Sequence, residues 1–135
     1  MAGFEILEHT ADVGLRATAE SVTGVFEQAT RGLAEIAGIW RSTKLHEHRI
    51  SVEGSDREAV LVDWLSEVLF LHDSRNFALS GVSLDEVTET SARGRIWSSP
   101  LDGAETAIQI KAVTYHQLAV QETAEGWSAT VFFDI

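Results

Sequence analysis

Carboxylates near the two ends of the sequence are its strongest candidates for chemistry. The segment Glu8-His9-Thr10-Ala11-Asp12-Val13-Gly14 sets a histidine and an aspartate in a turn of small residues between two strand-like stretches, where side chains can meet a ligand. The last residues, Phe132-Phe133-Asp134-Ile135, add a second aspartate, and Ile135 adds an α-carboxylate where the sequence stops. Three carboxylates gathered in one place raise their own pKa values unless a cation neutralises them. All-oxygen donors suit Mg²⁺, Ca²⁺ or Mn²⁺ rather than zinc. Spacing alone does not bring Asp12 to Asp134, and taken singly Asp12 reads equally as a turn aspartate bonded to local amides.

Two other stretches carry reactive side chains. In Ile110 to Leu118, Lys111, Val113 and Tyr115 alternate with Ile110, Ala112 and Thr114, so Lys111 and Tyr115 share a face, and His116 begins a bend. The ordinary reading is a rim lysine lying over apolar surface, with Tyr115 in the core. In Lys44 to Ile50, His46 and His48 are two apart, on one face of a strand, a pair able to bind zinc. No third ligand lies nearby and the flanks are charged, so a solvated strand edge is expected there.

Familiar catalytic signatures are missing: the sequence has no phosphate loop, no GxGxxG, no HExxH and no GxSxG. It has no cysteine, which removes disulfides and thiolate chemistry. A metal-dependent hydrolase working with Asp12, Asp134 and His116 would lack both a nucleophile and a base-plus-metal motif.

The elements that must position these residues follow from periodicity. Phe4 to Leu7 alternates, and after a turn at His9-Thr10 a second strand covers Val13 to Ala19. Ser21 caps a predicted helix to about Ala37, with Val22, Val25, Phe26, Ala29, Leu33 and Ile36 on one stripe and Gly38 as its stop. A strand follows around Arg49 to Glu53. Ser55 and Glu58 have capping-box spacing ahead of a helix carrying Val60, Leu61, Trp64, Leu65, Val68 and Leu71. From Phe77 the period becomes two, with strands through Val82, Leu84 and Val87, then over Ala92–Ile96, Ala107–Val113, Leu118–Glu122 and Trp127–Phe133. The last two are joined by a hairpin turn at Thr123 to Gly126. The expected class is α+β: two helices on a largely antiparallel, strongly curved, barrel-like sheet.

At 135 residues one domain over 1–135 is expected. The 21 acidic against 10 basic residues give a formal charge of −11, which opposes strong direct binding to nucleic acid. No basic-then-apolar leader opens the sequence and no apolar run is long enough to span a membrane, so a cytoplasmic location is expected.

The segments HTADVGLRATAES, LVDWLSEVLFL, IKAVTYHQLAV and GWSATVFFDI together resemble the archease family, over about Phe4 to Ile135 and in the family's order. Arg41 to His48, Ser98 to Glu105, Ser66 and Phe70 are less typical of it. The resemblance implies a non-catalytic accessory protein of an RtcB-type RNA ligase. That ligase joins 2′,3′-cyclic phosphate or 3′-phosphate RNA ends to 5′-hydroxyl ends in tRNA splicing and RNA repair. The accessory promotes guanylylation of the ligase with GTP and enables multiple turnover. A second role associated with the family is that of chaperone or specificity modulator of a tRNA-modifying methyltransferase. The resemblance also implies a divalent metal ion held by Asp12, Asp134 and the Ile135 carboxylate, with Lys111 contributing to ligase activation alongside the two aspartates. His9 and His116 match motif positions without an assigned role.

Overall fold

The computed structural model describes residues 2–8, 12–101 and 108–135. The predicted turn at His9-Thr10 and residue Ala107 lie outside them. The described residues form seven strands and two helices, in the order β1 (Gly3–Glu8), β2 (Asp12–Ala19), α1 (Val22–Ala37), β3 (His46–Glu53), α2 (Arg57–Arg75), β4 (Phe77–Val87), β5 (Ser91–Pro100), β6 (Ala112–Thr123) and β7 (Gly126–Asp134). They form two antiparallel sheets, one in the order β1-β2-β7-β6 and one in the order β3-β5-β4. The α+β class with antiparallel strands is as expected. The strands are nonetheless divided between two sheets, and the described pairings do not close either one into a barrel. The helices join them, since α1 touches β1, β2 and β7 of the first sheet and β4 of the second, while α2 touches β6 and all three strands of the second.

β2 alternates from Leu15 onward, while Gly14 on the outer face is buried as well. Val13, Leu15, Ala17 and Ala19 are buried and Arg16 and Thr18 are exposed, the pattern of a strand with one face on the core. α1 lies close over it: a Cβ on Gly32 would stand 2.5 Å from Leu15 Cδ1, so the Leu15 side chain fills the space this glycine leaves. Ser21 caps α1 by accepting from the Gly24 amide at 3.0 Å, and Gly38 closes it in the left-handed region at φ 71°. Both caps match the sequence reading.

The start of α2 differs. Asp56, not Ser55, is its N-cap, accepting from the Ala59 amide at 2.8 Å. Glu58 does not fold back to form a capping box; its Oε2 accepts from the Val120 amide of β6 at 3.2 Å. A tertiary hydrogen bond between α2 and β6 has won over the local one. The fully buried Trp64 then ties the helices together, its Nε1 donating to Thr30 Oγ1 at 2.9 Å while that hydroxyl donates to the Phe26 carbonyl at 2.7 Å.

β6 also departs from the pattern. The stretches expected as separate strands over 107–113 and 118–122 are, among the described residues, one strand that begins at Ala112 and is interrupted by a bulge. Between Thr114 and Ala119 it carries more residues than its partner, which runs only from Phe132 to Thr130. Gln117 absorbs the excess with a left-handed φ of 51°. This is the bend expected at His116.

Candidate functional site

The β2–β7 register sets Asp12 directly across from Asp134, and the β6–β7 register sets Ala112 on the other side of Asp134. The Lys111 amide donates to the Asp134 carbonyl at 2.8 Å. Three residues from the two ends and the late middle of the sequence thus meet at one end of the four-stranded sheet. Val13 and Phe133, next along the ladder, are buried. Because side chains alternate across a strand, Asp12 and Asp134 lie together on the face turned away from that core.

The same face has an aromatic floor beside the acids. Gly14 pairs with Phe132, and a Cβ on Gly14 would fall 2.5 Å from Phe132 Cε2 and 3.0 Å from Leu7 Cβ. The Phe132 ring therefore lies across bare backbone. His116 meets this ring edge-on, with centroids 5.5 Å apart and planes at 69°. Thr114 Oγ1 donates to the Phe132 carbonyl at 3.0 Å and accepts from the His116 amide at 3.3 Å, which holds the bulge against β7. Tyr115, read as core in the ordinary interpretation, is instead 61% exposed on this bulge. A glycine inside an apolar strand pattern signals such a close approach, but it does not say which side chain fills the space.

Among the described residues, no side-chain atom of Asp12, Asp134 or Lys111 makes a hydrogen bond or ion pair. No three histidine, aspartate or glutamate side chains among them gather as a ligand set. The site thus offers two side-chain carboxylates. Ile135 packs its side chain against the core, which anchors the backbone beside Asp134.

His9 lies outside the described residues. His46 and His48 both fall on β3, as expected, and His46 is exposed. His48 is only partly solvated. It is half-buried, its Nε2 is 2.8 Å from Ser98 Oγ, and its ring stacks on Phe77 with centroids 5.0 Å apart. Burial, with added repulsion from Arg75 and His46, lowers its pKa below the usual 6.5.

The fold and site define a small two-sheet α+β protein with an unneutralised carboxylate pair and an exposed bulge at one sheet end. The chain belongs to the archease family: residues 4–135 match the Archease protein family (MTH1598/TM1083). It is 35% identical to the archease of Methanosarcina mazei over 98% of this chain and 95% of that protein. It is 36% identical to the archease of Saccharolobus islandicus strain M.14.25 over the whole of both chains. The solution structure of Methanobacterium thermoautotrophicum protein 1598 superposes with a TM-score of 0.77 at 28% identity, covering 98% of this chain and 99% of that one. The crystal structure of a Thermotoga maritima protein described as an archease and possible chaperone shares the fold, with a TM-score of 0.68 at 22% identity over 96% of this chain and 94% of that one.

Proposed function

We propose that the acidic sheet end holds a divalent cation, Ca²⁺, Mg²⁺ or Mn²⁺, between Asp12, Asp134 and the Ile135 carboxylate. The observation that carries this is the direct opposition of Asp12 and Asp134 without a cationic partner among the described residues. Like charges facing each other across a ladder destabilise it, and hard oxygen donors suit these ions. When bound, the ion supplies positive charge at an otherwise acidic surface. The carboxylates orient it, and Lys111 adds a free ammonium group on the neighbouring segment.

The protein then serves as a non-catalytic accessory of an RtcB-type RNA ligase, promoting its guanylylation with GTP and its multiple turnover in the cytoplasm. Family membership supports the partner. The exposed acidic tip supports a contact with a basic nucleotide-binding cleft. The test is guanylylation of the cognate ligase with GTP, with and without this protein. Stimulation by the wild type and its loss in Asp12→Ala are expected. Wild-type stimulation by a folded Asp12→Ala protein would sink the role of the site, and no stimulation by the wild type would sink the partner.

The Thermotoga protein's description as a possible chaperone favours a second reading, a chaperone or specificity modulator of a tRNA-modifying methyltransferase. Co-purification separates the two, according to whether the ligase or the methyltransferase is retained.

A further inference from the structure

A second cluster of polar side chains lies in the other sheet. Where β3 begins, β5 ends and α2 stops, a cleft of about 660 Å³ is lined by His46, His48, Arg75, Asn76, Ser98 and Ser99, with Glu47, Phe77 and Pro100 completing it. His46 and His48 lie two apart on β3, and Ser98 is the register partner of His46. The Ser99 hydroxyl is buried and has no hydrogen-bond partner among the described residues, in a residue only 5% exposed.

The charge at the cleft is unusual for this protein. Of the ten basic side chains, eight engage a carboxylate, a carbonyl or an aromatic ring. Among the described residues only Arg75 and Lys111 engage none. Arg75 is exposed, so its guanidinium is available. Among the described residues the one carboxylate lining the cleft is Glu47, which lies 3.7 Å from both Arg49 and Arg95. A free guanidinium beside two imidazoles disfavours a metal cation and favours an anion. A tetrahedral dianion presents several acceptor oxygens to donors that arrive from different elements, and arginine recognises phosphate with paired N–H groups.

We propose that this cleft binds a phosphate monoester dianion, held by Arg75, His46 and His48. The site is independent of the carboxylate pair: His46 and His48 come from the start of β3 and Arg75 from the end of α2. Binding couples to proton uptake. The groups around His48 are Arg75 from α2, His46 from its own strand, Ser98 from β5 and the Phe77 ring from β4, with paired Glu47 at the rim. The two cationic neighbours oppose its protonation, so an anion that neutralises them raises its pKa.

The test is NMR of the histidine ring resonances near pH 6, at constant ionic strength set with chloride. Inorganic phosphate is titrated in one arm and adenosine 5′-monophosphate in another. The expected result is a saturable shift of His46 and His48 while His72 and His116 stay still, and a higher His48 pKa at saturation. Arg75→Ala should weaken binding about tenfold or more, since a charge-assisted hydrogen-bond pair is lost, with no change in melting temperature without phosphate. Tighter binding of the nucleotide than of phosphate identifies a nucleotide as the source of the group, and equal binding identifies free phosphate. Non-saturating shifts of all the histidines together, or unchanged binding in Arg75→Ala, would overturn the proposal.

Discussion

Asp12 and Asp134 are direct partners across the β2–β7 ladder, although 122 positions separate them in the sequence. Two like charges in that relationship weaken the ladder in the absence of a cation. Asp134→Asn should therefore stabilise the metal-free protein by about 0.5 kcal/mol, or roughly 2 °C in melting temperature. The same change should remove most of the stabilisation by added divalent ion, which for the wild type is about 2.7 kcal/mol at 100 times Kd. Thermal unfolding in chelator and in excess Ca²⁺ or Mn²⁺ reads both effects. Equal ion-induced stabilisation of wild type and variant would remove Asp134 from the ligand set.

Gly14 supports that site through Phe132. A Cβ 2.5 Å from Phe132 Cε2 forces the ring to move. Gly14→Ala should cost about 1–3 kcal/mol by overpacking, and part of the loss should return when it is combined with Phe132→Leu. Urea denaturation of the four proteins of that cycle measures the coupling. Additive effects would mean the ring does not rest on this glycine.

The start of α2 separates two neighbouring candidates. Asp56→Ala removes the side chain that accepts the Ala59 amide and should cost about 1 kcal/mol. Ser55→Ala should change stability by no more than about 0.5 kcal/mol. The reverse order in chemical denaturation would restore the capping box.

His48 makes stability depend on pH in a definite direction. Its folded pKa lies below the unfolded value of 6.5, because burial, Arg75 and His46 disfavour its charged form. The unfolded state then binds more protons on acidification, so stability falls as pH drops through 6.5 toward the folded pKa and levels off below it. Above 6.5 the group contributes no pH dependence. Denaturation of wild type and His48→Gln at several pH values should show a difference that grows as pH falls from 7.5 to 5. A constant difference across that range would contradict the assignment.

Much of this protein was legible locally. The Ser21 and Gly38 caps, the apolar stripe of α1, the period-two strands and the hairpin at Thr123 to Gly126 follow from side-chain preferences over a few residues, and the fold retains them. The bend at His116 was legible as well, but not the exposure of Tyr115, because a bulge changes which face a residue occupies. Ser55 and Glu58 had the right spacing and failed, since Glu58 found a stronger use against the Val120 amide. Arg75 and Ser99 carried no signal at all, because helix and strand ends from separate parts of the chain create their cleft.

The carboxylate pair shows the division most clearly. The sequence by itself set Asp12 just before the second strand and Asp134 just after the last one. Only the tertiary structure decided that they face each other. Strand pairing is a long-range choice, made by burying the inner faces of β2 and β7 under α1, and one residue of slip would have turned the whole set to the other face.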